Sequence, residues 1–440
     1  MHSTSLTRRV VFIVLVTLAL CVPLFMLSGL VDERAAYQAE AASDIAASWG
    51  GAQSIVGPLL AIPETYQALE QRGDHTYTVP KTRTRLYTPS ELSVAGSVDH
   101  ELRRRGIHEV PVYAADLAVS AKFDTDNRQA PADVKPHTEQ ARLVLAIADT
   151  TGIQNISLLQ DGDLGFSGGT GLNSLPSGIQ TAQTHLSELR TVEIAMKLQG
   201  TTSLALAPVG AESSFKLTSS WPHPSFAGRY LPLTHEINAD GFDAIWQVSE
   251  LARDMPSHWI DRVDAQTLYS IATASISLFQ PLSGYTLVDR ATKYALLFIS
   301  LTFLAYFCFE LQTSVALHLV QYGVVGIALV MFYLTLLSLV EHVAFGFAYG
   351  LATVVMVGLI AWYTWLVTRA KVGLKLVAAI GALLLALYGC LYTLLMMEDS
   401  ALLVGSTVLL CGLAALMYAT RDLSQYAHQS GDAIPAQATR

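Results

Sequence analysis

Between Arg9 and Asp32 the chain reads Val10-Val-Phe-Ile-Val-Leu-Val-Thr-Leu-Ala-Leu-Cys-Val-Pro-Leu-Phe-Met-Leu-Ser-Gly-Leu-Val31, 22 residues without a charge. At 1.5 Å per residue a helix of that length covers the roughly 30 Å hydrocarbon core of a bilayer. A secretory signal peptide would have a shorter apolar run of about 7–15 residues ending at a small-residue cleavage site. Here the run passes directly into Asp32-Glu33-Arg34, so an uncleaved anchor is expected. Composition agrees: 52% of the 440 residues are hydrophobic and 14% charged, against about 25% charged in an average soluble chain.

The last third repeats this signal. Apolar segments at 294–310, 320–340, 344–367, 375–396 and 400–420 predict five further spans. The first of them has only 16 uncharged residues, Tyr294 to Phe309, so Lys293 or Glu310 is expected to snorkel to an interface. Arg8 and Arg9 place the N-terminus on the cytoplasmic side by the positive-inside rule. Six crossings then return the C-terminus to that side. Arg369, Lys371, Lys375 and Arg421 fall inside and the Glu398-Asp399 turn outside. Arg290 and Lys293 break the pattern, but they adjoin a long translocated segment, where charge bias counts for less. Trp362, Tyr363 and Trp365 match an interfacial belt at the inner end of the fourth span.

Residues 32–290 read as a soluble domain. Leu92 to Val98, Leu143 to Ile147, Val192 to Leu198 and Ser203 to Ala207 alternate with period two, and Gly and Pro punctuate them. The fold class expected is therefore a membrane protein. It combines six α-helical spans, one N-terminal and five C-terminal, with a large β-rich (α+β), sandwich-like periplasmic domain. The divisions are 1–31, a cytoplasmic N-terminus and first span; 32–290, the periplasmic domain; 291–421, a five-helix bundle; and 422–440, a cytoplasmic tail expected to be disordered. Residues 32–50 continue helically from the first span. Cys21, Cys308, Cys390 and Cys411 all lie in apolar segments, so the outer domain has no disulfide.

Few motifs carry chemistry. Gly165-Phe-Ser167-Gly-Gly169 fits G-x-S-x-G formally, but Asp161-Gly-Asp163 and Thr170-Gly-Leu-Asn173 flank it with turn residues where a nucleophile elbow needs a strand and a helix. Twelve histidines form no metal-ligand spacing. No cofactor is implied, and the net charge of −9 argues against a nucleic-acid partner. Ionisable groups at membrane depth are costly and mark candidate sites. Glu310 and His318 flank one loop, and Glu341-His342 lies at the next turn; these four read either as interfacial groups or as proton- or ligand-handling ones. Gln321 and Tyr322 could join helices by hydrogen bonds. Gly323-x-x-Gly326 and Gly346-x-x-x-Gly350 offer small faces for packing within the bundle or for a homo-oligomer. In Ser220-Trp-Pro-His-Pro-Ser-Phe226 two prolines stiffen the backbone, and Trp221 and His223 read as a core-packed corner or a binding edge.

Across these segments the chain resembles the CreD inner-membrane family. The resemblance rests on Ser48-Trp-Gly-Gly51, Gln53, Gly57-Pro-Leu59, Arg105-Gly-Ile107, Val112-Tyr113, Ser220 to Phe226, Gly241-Phe242, Ala244 and Trp246. It continues through Lys293-Tyr294, Phe309-Glu310, Gln321-Tyr322, Gly326, Phe332-Tyr333, Ser338, Glu341-His342, Glu398-Asp399, Ala401-Leu-Leu403, Gly405 and Thr420-Arg421. Leu319-Val320 departs where the family pattern has a proline-containing step, and His108 where it has an aromatic residue. The resemblance implies an inner-membrane protein made under a two-component sensor system, with effects on envelope integrity, colicin tolerance and β-lactam response, and it carries no catalytic activity. The expected function is a non-enzymatic envelope-integrity and stress-response protein. Its partners would be the bilayer and an envelope component or protein met by the outer domain. The alternatives are a small-molecule or ion transporter built on the bundle, and an intramembrane enzyme with Glu341-His342 as acid and base. Five spans do not divide into equal inverted repeats, which counts against common transporter architectures.

Overall fold

The computed structural model describes residues 2–72, 74–124, 134–159, 164–253, 255–262, 271–278, 284–313, 318–368, 374–397 and 401–420. Arg369, Lys371, the Glu398-Asp399 turn, Arg421, Asp161-Gly-Asp163 and the tail 422–440 lie outside them. The chain forms two compact units, residues 38–281 and residues 1–37 with 282–440.

The first unit is β-rich. Its strands are β1 Gln53–Arg72, β2 His75–Tyr87, β3 Glu91–Arg105, β4 His108–Lys122, β5 Val134–Pro136, β6 Arg142–Ile147, β7 Ile153–Leu158, β8 Phe166–Gly168 and β9 Gly178–Thr181. The series continues with β10 Thr191–Thr201, β11 Ser203–Leu206, β12 Glu212–Ser219, β13 Ser225–Gly228, β14 Thr234–Asn238, β15 Gly241–Ser249, β16 His258–Ile260 and β17 Ala274–Ser277. They make two sheets. One runs β14-β15-β12-β3-β4-β10-β7; the other runs β13-β17-β11-β1-β6-β9-β8, with β2, β5 and β16 attached.

Inward residues of both sheets, such as Val94, Leu117 and Ile194 from one and Leu60 and Leu143 from the other, share one hydrophobic core. β10 alternates exposed and buried as its sequence predicts. The segment Leu143–Ile147 differs: every residue is buried, because β6 lies inside its sheet and is covered on both faces. Gly165–Gly169 is also not wholly loop. Residues 166–168 form the short edge strand β8, and the Ser167 hydroxyl donates to the Gln180 carbonyl at 3.3 Å.

The second unit is helical, with α1 His2–Trp49, α2 Gly284–Thr313, α3 Leu319–Val340, α4 Phe345–Thr368, α5 Leu374–Met396 and α6 Ala401–Thr420. Among the described residues five helices, α1 to α5, are long and apolar enough to cross a membrane, and α6 contributes the apolar stretch Leu403–Ala414. The helix that carries the expected span 294–310 begins earlier, at Gly284. Its early charges do not break the helix, because the Lys293 ammonium donates to the Asp289 carboxylate one turn away at 2.6 Å.

α1 runs 48 residues without interruption, so that its last twelve residues belong to the β-rich unit and the rest to the helical one. Along its membrane-length part Leu20, Leu24, Leu27 and Val31 form a narrow buried seam, spaced three to four residues apart. Val11, Leu18, Val22 and Phe25 are exposed and apolar, as a lipid-facing surface requires.

Candidate functional site

The groups singled out in the bundle resolve into two clusters. In the first, Glu310 on α2 is 7% exposed and pairs with Arg9 of α1, while the Tyr322 hydroxyl of α3 donates to its other oxygen at 3.0 Å. The Glu310 carboxylate turns to a cation 301 residues earlier in the chain. Next to it Tyr306 and Thr364 share a hydrogen bond of 2.7 Å. Tyr306, Gln321, Tyr322, Tyr363 and Thr364 line a cavity of about 10 Å³, the space of one water molecule.

The second cluster repeats this chemistry 25 residues further along α1, at Arg34. Glu341, 16% exposed, lies 3.7 Å from the Arg34 guanidinium and accepts from the Tyr285 hydroxyl at 3.5 Å. Each carboxylate thus takes one arginine from α1 and one tyrosine from the bundle. Arg9 and Arg34 are 25 residues apart, about 37 Å along a helix, which brackets a 30 Å hydrocarbon core.

His318 and Gln321 cap a helix. The His318 ring accepts from the Val320 amide at 3.3 Å, and the Gln321 side chain accepts from the His318 amide at 2.9 Å, a reciprocal box that opens α3. The cap forms with Leu319-Val320 as the first two helical residues. His342 is exposed and its backbone amide bonds the Leu339 carbonyl, so it does not join Glu341 and its partners. Gly326 is a socket: a side-chain carbon there would lie 2.5 Å from Leu20 of α1 and 2.9 Å from Phe303 of α2, whereas Gly323 and Gly350 face open space.

In the β-rich unit Trp221 is buried, with its indole N–H donating to the His223 carbonyl at 2.8 Å and the His100 ring edge-on at 5.0 Å. The His223 side chain is exposed. Phe226 packs edge-on against Phe242 and Trp246. Ser220 to Phe226 is therefore a core-packed corner with one histidine on its rim.

The densest polar constellation is one that residue chemistry alone did not single out. Gln53 is 1% exposed. Its amide donates to the Asp149 and Gln199 carbonyls at 2.9 and 3.0 Å, and its oxygen accepts from the Asp149 amide at 3.3 Å. The Asp149 carboxylate accepts from the Gly51 and Thr151 amides at 2.9 and 3.0 Å, and the Gly51 amide foremost holds it below the usual carboxylate range. Trp49 ends α1 here, donating to the Tyr113 carbonyl at 3.3 Å under the Arg103 guanidinium. Gly50, at φ +110°, turns the chain where a side-chain carbon would meet the Gln199 carbonyl at 2.8 Å. The quoted run Ser48-Trp-Gly-Gly51 with Gln53 is the signal that could have found it.

A second buried charge group lies on β1 and β2. Glu64 accepts from Arg83 at 2.5 Å and from Arg85 at 2.8 and 2.9 Å. Burial pushes its pKa up, but the bonds from Arg85 and Arg83 outweigh this and hold it below the usual value. Among the described residues no three His, Cys, Asp or Glu side chains converge as metal ligands would.

The family model described as "Inner membrane protein CreD" matches residues 5–426. The chain is also 34% identical over 420 residues to the inner membrane protein CreD of Escherichia coli (strain K12), covering 93% of this chain and 91% of that protein. The arginine–glutamate pairs of α1 and the β-rich unit that takes its last turns are thus features of a multi-pass inner membrane protein, and the chain belongs to the CreD family.

Proposed function

We propose that this protein crosses the inner membrane six times, with both termini cytoplasmic and the β-rich unit in the periplasm. There it serves envelope integrity without catalysing a reaction, by binding an envelope component. The observation that best supports this is the continuity of α1. One helix carries an exposed apolar surface and leads in sequence into the Gln53 hub of the β-rich unit. A transport or acid–base reading would use Glu310, Glu341 and His342, but both carboxylates are engaged by arginine and tyrosine, and His342 stands apart from them. The test is complementation of cells lacking the chain, scored as growth in detergent. His342→Ala is expected to complement fully and Gln53→Leu to fail. Loss of complementation by His342→Ala at normal protein level would favour the catalytic or transport reading instead.

A further inference from the structure

α1 is held to its bundle in an unusual way. Its apolar seam is Leu20, Leu24, Leu27 and Val31 with Ile13, Val16 and Leu30 packed beside them at partial burial, and the polar side chains along it, Thr17, Cys21 and Ser28, bond their own helix backbone. In a bilayer an apolar seam gains little over lipid contact, because lipid tails are as apolar as leucine; close packing and polar bonds decide which helices associate. The Leu20 side chain packs closely over Gly326. Directional contacts join α1 to the bundle at two places, Arg9–Glu310–Tyr322 and Arg34–Glu341–Tyr285.

We infer that these two arginine–glutamate–tyrosine clusters are latches that fix α1 in one register against α2 and α3, and that the seam alone does not hold it. A helix clamped by polar contacts at two points about 37 Å apart is a releasable rod: opening a latch loosens α1 without unfolding the bundle. The use of that release to report ligand occupancy rests on the function proposed above; the latches themselves do not. The latch at Glu310 is the stronger, being the more buried and having the shorter tyrosine bond, 3.0 against 3.5 Å.

The test uses the full chain in native membranes, with Cys21, Cys308, Cys390 and Cys411 replaced by alanine and with Leu20→Cys and Gly326→Cys introduced. Copper phenanthroline is expected to join the two new cysteines rapidly. Glu310→Gln should slow joining about tenfold and Glu341→Gln about threefold, the range of single polar contacts between membrane helices. Glu310→Asp, which keeps the charge, should recover most of the parent rate. Tyr322→Phe, mild enough to leave insertion intact, should slow joining about threefold and decides the matter if Glu310→Gln fails to accumulate. Joining at the parent rate in the variants that accumulate, or no joining in the parent, overturns the latches. Slowed joining with undiminished growth in detergent would keep the latches and overturn the reporting role alone.

Discussion

The two ends of α1 solve the same problem with opposite means. In the β-rich unit its last turn is tied by a hub of short, buried, directional bonds: Trp49 to Tyr113, Gly51 to Asp149, and Gln53 to both Asp149 and Gln199. In the helical unit the same helix has an apolar seam with one charge cluster on either side of it, at Arg9 and at Arg34. The difference follows from the solvent. In water, burying apolar surface drives assembly and the buried polar groups must then be satisfied. In lipid there is no such drive, and a few polar contacts select the neighbours. One junction is therefore expected to be stiff and costly to break, the other weak and reversible.

The largest effect should come from breaking the stiff junction. Gln53→Leu removes three buried side-chain bonds, to the Asp149 and Gln199 carbonyls and from the Asp149 amide, at about 1–3 kcal/mol for each group left unsatisfied. The cooperative melt of the β-rich unit in the full chain, followed by tryptophan fluorescence, should fall by roughly 10 °C or more. An unchanged melt would mean that the hub is ornamental and that the two junctions do not differ.

Glu64→Gln should come next, at about 3 kcal/mol, since it leaves Arg83 and Arg85 without their buried counter-ion. It also fixes a pH dependence. Glu64 has a lowered pKa in the fold, so its stabilisation is present above the ordinary carboxylate value of 4.5 and disappears as pH falls through the lower folded value. Melts of the parent should therefore drop more steeply than those of Glu64→Gln as pH is taken from 6 to 3; parallel curves would refute the role of this group.

Smaller again is Gly326→Val, which crowds Leu20 and Phe303. Overpacking costs about 1–3 kcal/mol, and it should loosen α1 from the bundle, seen as faster proteolysis of the detergent-solubilised helices, while the melt of the β-rich unit stays put. A matching fall in that melt would show that the two junctions are not independent. Ser167→Ala removes one exposed hydrogen bond at an edge strand and should change stability by less than about 0.5 kcal/mol.

What could be read from the sequence sorts by range. Charge-free runs mark the helices of the bundle because span length is set by the bilayer, and alternation marks β10 because its two faces meet different surroundings. Strand order was out of reach, since pairs such as β3 with β12 or β1 with β11 join residues more than a hundred positions apart. The early start of α2 was hidden because its charges satisfy one another along the helix. The pairing of Glu310 could not be read because its partner Arg9 lies 301 residues earlier in the chain. A lone Gln at the start of a strand likewise gives no hint that its partners are 96 and 146 residues away.

The proposed placement of the two units across the membrane is most directly tested by labelling whole cells with a membrane-impermeant maleimide in the cysteine-free background. Asn155→Cys, exposed on β7, should react from outside. Ser430→Cys should react only after the membrane is permeabilised. Protection of position 155 in whole cells that express the chain at normal level, or labelling of position 430 without permeabilisation, would contradict the six-span arrangement with the β-rich unit outside.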